Sequence, residues 1–111
     1  MKKANLETAE SVEAVPGIFR KTLTYNSEIM LCHFDLRKGS KIPLHDHRAS
    51  QNGFVMKGKL HFFTESSDFI AQEGDSYVFD PNEKHGCDVL EDSYVIEAFS
   101  PSRHEYIPKE E

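Results

Sequence analysis

Hydrophobic and polar positions alternate along this chain in short bursts. The stretches IFRKTLTY, IMLCHFDL, GFVMKGKLHFF, DSYVFD and SYVIEAF are rich in β-branched and aromatic residues, and the turn-forming stretches YNSE, RKGSK, FTESSD, QEGD, DPNEK and LEDS separate them. No stretch repeats its apolar residues with a helical period. Short strands at nearly even spacing predict an all-β fold, a sandwich or barrel in which each strand sends alternate side chains inward. Polar, acidic residues at the start of the chain show no such texture. Residues 1–16 are therefore read as an N-terminal arm or edge strand, and residues 17–111 as the domain itself.

Composition narrows the classes. A chain of 111 residues holds one core, not two. Its 29% charged and 38% hydrophobic residues are ordinary for a globular domain, and no apolar run approaches the ~20 residues of a membrane-spanning helix. The opening MKKANLETAESVEAV has two lysines but no apolar stretch behind them, so it does not read as a secretory signal, and a cytoplasmic location is expected. A net charge of −6 disfavours a phosphate backbone as partner and leaves a small molecule as the expectation. Cys32 and Cys87 make neither a disulfide framework nor a zinc pair, and both are read as reduced packing residues.

The candidate chemistry lies in PLHDHRASQNGF. His45 and His47 are two residues apart, so an extended KIPLHDH points both imidazoles to one side. Gln51 opens the next strand, where Gly53 suggests a tight bend, and can come alongside them. His85 follows the turn DPNEK and shares its face with Cys87 and Val89. Three imidazole nitrogens and one amide oxygen make a four-ligand set for a divalent metal ion. His33, His61 and His104 match no such pattern, and surface positions are expected for His33 and His61.

These residues carry a family resemblance. Gly39, His45, His47, Gln51 and Gly58 resemble the first motif of the cupins, and GDSYVFDPNEKH, from Gly74 to His85, resembles the second. The resemblance implies an all-β jelly-roll barrel of two antiparallel sheets with a divalent metal inside, usually in a homodimer. The chain departs from the pattern where the usual acid is Gln51, the usual proline is Asp80 beside Pro81, and the usual glycine is Asn82, a residue that tolerates left-handed turns. Three neutral imidazoles and an amide leave the full charge on the ion, which favours Lewis-acid work on an oxygen substrate. Ligand type permits zinc, nickel, iron, manganese or cobalt.

The tail VIEAFSPSRHEY is similar to that of the KdgF-type pectin-degradation cupins, which also use three histidines and a glutamine as ligands. The matching positions are Glu97, Phe99, Pro101, Arg103 and Tyr106, with Glu97 where that subfamily usually has Asp. The resemblance implies conversion of 4,5-unsaturated uronates into the linear keto sugar acid, with Glu97 and Arg103 catalytic and Phe99 and Arg103 contacting substrate. Alternation independently puts Val95, Glu97 and Phe99 on one face. A carboxylate among apolar neighbours needs a partner, and a metal or Arg103 is the expected one. Two rival functions are a cupin oxygenase acting on an enol, since three histidines also serve such enzymes, and a non-catalytic module binding a sugar or metal.

Overall fold

A computed structural model describes residues 1–108. Ten strands follow one another: β1 (Ser11–Val15), β2 (Ile18–Tyr25), β3 (Met30–Leu36), β4 (Lys41–His45), β5 (Ser50–Lys57), β6 (Lys59–Phe63), β7 (Asp68–Gln72), β8 (Ser76–Phe79), β9 (His85–Val89) and β10 (Ser93–Ser100), with a 3₁₀ turn at His104–Tyr106. They form a six-stranded sheet in the order β1-β2-β3-β10-β5-β8 and a four-stranded sheet in the order β4-β9-β6-β7. All pairings are antiparallel. This is a jelly roll, and β1 is its edge strand, exposed along its whole length.

The alternation read from the sequence is the packing of the core. Cys32, Phe34 and Leu36 of β3, Val55 of β5, Leu60 and Phe62 of β6, Cys87 and Val89 of β9, and Val95 and Phe99 of β10 all face the space between the sheets and are buried. Burial disfavours a thiolate: it pushes the Cys32 thiol up to about 11 and raises that of Cys87 as well. Each cysteine is a packing thiol with no nucleophilic character.

Two local details differ from the sequence reading. The run GFVMKGKLHFF is two strands, because Gly58 adopts a φ of 104° and turns β5 into β6. His33 is only 7% exposed although it points to the outer face. Its strand lies inside the sheet, between Lys21 of β2 and Ile96 of β10, and the Tyr94 ring packs 5.7 Å away. His61 does sit at the surface, between Asp68 at 2.7 Å and Asp88 at 3.6 Å.

Candidate metal centre and cavity

Each of the three histidines is fixed by a carbonyl two residues away in its own chain. His45 Nδ1 lies 3.0 Å from the Pro43 oxygen, His47 Nδ1 2.8 Å from that of Ala49, and His85 Nδ1 2.7 Å from that of Glu83. A carbonyl only accepts, so each Nδ1 carries the proton and each Nε2 keeps a lone pair. The turn between β8 and β9 locks two of the rings together. Its Asn82, at a φ of 64°, donates its backbone N–H to the His47 oxygen at 2.8 Å, and Glu83 of the same turn receives the His85 ring.

The ligand atoms of His45, His47 and His85 lie within 4.8 Å of one another, close enough to hold one metal ion. Gln51 joins them from β5. Its Oε1 is 2.9 Å from His47 Nε2 and 3.3 Å from His85 Nε2. The amide orientation is set from the other side, where Gln51 Nε2 donates to Glu97 Oε2 at 2.7 Å. Acceptor lone pairs therefore converge on a carbonyl oxygen with no proton between them. Such an arrangement repels unless a cation sits at its centre, and neighbouring ligands on bonds of ~2.1 Å are separated by ~3 Å or a little more. The donor set fits a divalent ion on this ground. Burial pulls the pKa of His85 down to about 4 and lowers that of His47, with the Arg103 cation adding to the effect at His47, so both rings stay neutral and able to ligate at neutral pH.

Glu97 is 6% exposed and opposes Cys32 on one neighbouring strand and Gly53 on the other. It forms no salt bridge with Arg103, one of the two partners, with a metal, that the sequence reading offers. Gln51 and Tyr77 are its partners, the Tyr77 hydroxyl donating to Oε2 at 2.5 Å. Burial raises the Glu97 pKa, and the two donors together with the Arg103 charge work in the opposite direction. Gly53 makes the contact possible. It sits in register between Tyr77 and Glu97, and a β-carbon there would lie 2.2 Å from the Tyr77 Cζ. Gly53 is thus no bend: it pairs regularly on both sides and lets the phenol cross the strand.

Arg103 follows the last strand, and hydrogen bonds from the tail to β2 and the β2–β3 turn hold it in place: Thr22 Oγ1 donates to the Tyr106 oxygen at 2.6 Å, and Ser102 Oγ to that of Asn26. The Arg103 guanidinium donates from Nη1 to the Tyr106 hydroxyl at 2.7 Å, lies 3.3 Å from Glu105 Oε1, and stacks over Phe99 and Tyr106 at 5.4 and 4.1 Å. A cavity of about 560 Å³ gathers these groups: His45, Gln51, His85, Glu97, Phe99 and Arg103 all line it. His47 stands behind this lining, its ring 6.0 Å from that of Phe99 and 5.1 Å from that of His85.

Sequence reasoning missed Tyr77 and Arg20, which also line this space. A signal existed for Tyr77, since an inward tyrosine needs an acceptor and an inward glutamate a donor. None existed for Arg20, which lies in a strand whose residues after Ile18 are all half-buried and do not alternate.

Comparison with known proteins agrees with this architecture. The cupin domain family profile matches residues 32–105. The pectin degradation protein KdgF of Dickeya dadantii is 32% identical over 93 residues, covering 82% of this chain and 84% of that protein. The structure of KdgF from Halomonas sp. superposes with a TM-score of 0.89 at 27% identity, over 96% of this chain and 99% of the other. An RmlC-like cupin from Shewanella frigidimarina does so at 0.86 and 27%, over 96% and 100%. With both motifs folded around one histidine cluster inside a jelly roll, and a family match across two-thirds of its length, the chain is a member of the cupin family and resembles its KdgF-type proteins.

Proposed function

We propose that this cupin holds a divalent metal ion through His45, His47, His85 and Gln51 and opens 4,5-unsaturated uronates to the linear keto acid. The observation that carries the reading is Glu97: a buried carboxyl whose two donors both bind Oε2, in the wall of a cavity that also presents the histidine cluster and a guanidinium. Likeness to a pectin degradation protein supports the substrate class.

A divalent ion in this donor set supplies Lewis acidity to a substrate oxygen, undiminished by any ligand carboxylate. The protein's own groups handle the protons. Opening the ring hemiacetal removes the proton of the C1 hydroxyl, breaks the bond from C1 to the ring oxygen and leaves an enol at C5. Ketonisation adds a proton at C4 as the enol proton leaves, so the product is an isomer and no co-reactant is consumed. Glu97 moves that proton through its oxygen on the cavity side, a role that contributes ~10²–10⁴-fold when the group is well placed. Tyr77 and Gln51 hold its other oxygen. Arg103 takes the substrate carboxylate, and Phe99 forms the wall against which the sugar ring packs. The assembly follows the family expectation of a homodimer.

The test is to incubate metal-loaded protein with freshly generated 4,5-unsaturated galacturonate and follow loss of the conjugated ultraviolet band. Acceleration over the spontaneous rate, abolished by a chelator and reduced at least ~100-fold by Glu97→Gln, is the expected result. Wild-type rates in both Glu97→Ala and Arg103→Ala would overturn the reading, and oxygen uptake with an enol substrate would replace it with an oxygenase.

A further inference from the structure

A second guanidinium faces the same cavity. Arg20 lies on β2, opposite Val12 of β1 and Phe34 of β3, and its Cζ sits 4.1 Å from the centre of the Tyr106 ring. The Arg103 Cζ lies at the same distance from that ring, so the two cations are within twice 4.1 Å of one another. Like charges this close repel. Three acids line the cavity, and each is engaged elsewhere. Glu13 accepts the Gly17 N–H at 3.1 Å, Glu105 pairs with Arg103, and Glu97 is taken by Gln51 and Tyr77. Arg20 forms no salt bridge among the described residues, and its buried Nε has no hydrogen-bond partner among them.

Arg103 is also less free than its position suggests. Its Nη1 is spent on the Tyr106 hydroxyl and its Nε on Glu105, which breaks up both edges of the fork that would grip a carboxylate with two parallel bonds. Arg20 has no such commitments. A half-buried cation that is unpaired among the described residues and set beside a second cation at the wall of a ligand cavity is complementary to an anion.

We propose that Arg20 and Arg103 form one anion site around Tyr106, in which Arg20 adds an uncommitted guanidinium to that of Arg103 in holding the carboxylate of a sugar acid. The identity of that acid as an unsaturated uronate rests on the function proposed above. The anion site itself rests only on the two arginines and the ring between them. Tyr106 acts as the spacer: its face carries Arg20, and its hydroxyl accepts from Arg103, so the ring fixes the separation of the two charges. A neutral sugar gains nothing from this arrangement, whereas one carboxylate cancels part of the repulsion between the arginines. Arg20 is accordingly a specificity residue for acids over neutral sugars.

The experiment compares wild type, Arg20→Gln and Arg20→Met, all metal-loaded, with two readouts. One is equilibrium binding of saturated D-galacturonate and of D-galactose by titration calorimetry or ligand-observed NMR. The other is KM and kcat on 4,5-unsaturated galacturonate. Arg20→Gln is expected to weaken galacturonate binding and raise KM about ten- to a hundredfold, as loss of a charged hydrogen-bonded pair does, while kcat changes little and galactose binding does not change. Arg20→Met keeps an apolar stem on Tyr106 and carries the same readouts if the glutamine variant fails to fold. A purely structural Arg20 would move melting temperature without this split between acid and neutral sugar. Unchanged galacturonate affinity and KM in the variants would overturn the proposal, as would a wild type that binds galactose as well as galacturonate. A wild type that binds galacturonate in an Arg20-dependent way yet does not turn over the unsaturated sugar would support the anion site and overturn the ring-opening function.

Discussion

Replacing Gly53 with alanine tests the row of side chains on which the proposed chemistry depends. Glycine inside a central strand ordinarily weakens it by roughly 0.5–1 kcal/mol relative to alanine, so the substitution would be expected to stabilise β5. Here the sign reverses. The new β-carbon would stand 2.2 Å from Cζ, 2.4 Å from Cε1 and 2.4 Å from the hydroxyl of Tyr77. The ring cannot retreat, because it is 5% exposed and packs 4.4 Å from the Phe62 ring and 5.6 Å from the Phe79 ring. Forced overpacking costs about 1–3 kcal/mol, and loss of the Tyr77 hydrogen bond to the Glu97 carboxyl about 1.5–3 kcal/mol more. A net destabilisation of ~2–5 kcal/mol follows, equivalent to a fall in Tm of roughly 10–30 °C for a domain of this size. Urea unfolding followed by circular dichroism measures it, since the chain has no tryptophan. In a Tyr77→Ala background the clash is gone, and the same glycine replacement should be neutral or mildly stabilising. A Gly53→Ala protein as stable as wild type, or an equal penalty in both backgrounds, would refute the crossing of the strand by Tyr77.

Other consequences are open to direct measurement. Tyr77→Phe keeps the ring but withdraws the donor from Glu97, so kcat should fall at least several-fold with no change in circular dichroism; an unchanged kcat would mean that the hydroxyl does not position the carboxyl. Divalent zinc or nickel at a hundred times its Kd should stabilise the fold by about 2.7 kcal/mol, and His85→Ala should abolish the shift; equal metal stabilisation of both proteins would move the ion elsewhere. The hydrogen bond to Asp68, with Asp88 assisting, raises the His61 pKa, so its contribution to stability is complete below the ordinary histidine pKa of ~6.5 and disappears as pH climbs through the higher folded value. Melting temperatures from pH 5 to 8 should accordingly fall more steeply for wild type than for His61→Gln, and parallel profiles would contradict the pairing. Cys32 and Cys87, buried and held as thiols, should react with a thiol reagent only at the rate of unfolding; fast labelling of the native protein would overturn their packing role.

What the sequence revealed and what it concealed divide along one physical line. Strands, turns and the spacing of His45, His47, Gln51 and His85 are local properties: two-residue alternation decides which way a side chain points, and the turns announce themselves through Gly, Pro, Asn and Asp. The histidine cluster was legible for that reason. Partnerships across the sheet were not, because they depend on register between strands far apart in the chain. Tyr77, Gly53 and Glu97 form one row only after β8, β5 and β10 have paired in order. Arg20 joins the cavity through β2 and a ring in the tail 86 residues further on. His33 is buried by the strands on either side of it, not by its own alternation.

The same row gives the glutamate at position 97 a physical meaning. An aspartate at this point of the family pattern has a shorter arm, and shortening Glu97 by one methylene would draw its carboxyl back by ~1.5 Å. From the backbone of β10 the longer arm places a single oxygen 2.7 Å from the Gln51 amide and 2.5 Å from the Tyr77 hydroxyl. The Gln51 bond is the one that turns the amide oxygen toward the imidazoles. Glu97 is in this way tied to two residues of β5: Gln51, whose NH₂ needs an acceptor, and Gly53, which admits a phenol to the same oxygen. A carboxylate at position 51 would have no hydrogen to donate and would face Glu97 as a like charge. Glu97, Gln51, Gly53 and Tyr77 form one connected set, and it joins the candidate metal centre to the candidate proton carrier through one carboxyl oxygen.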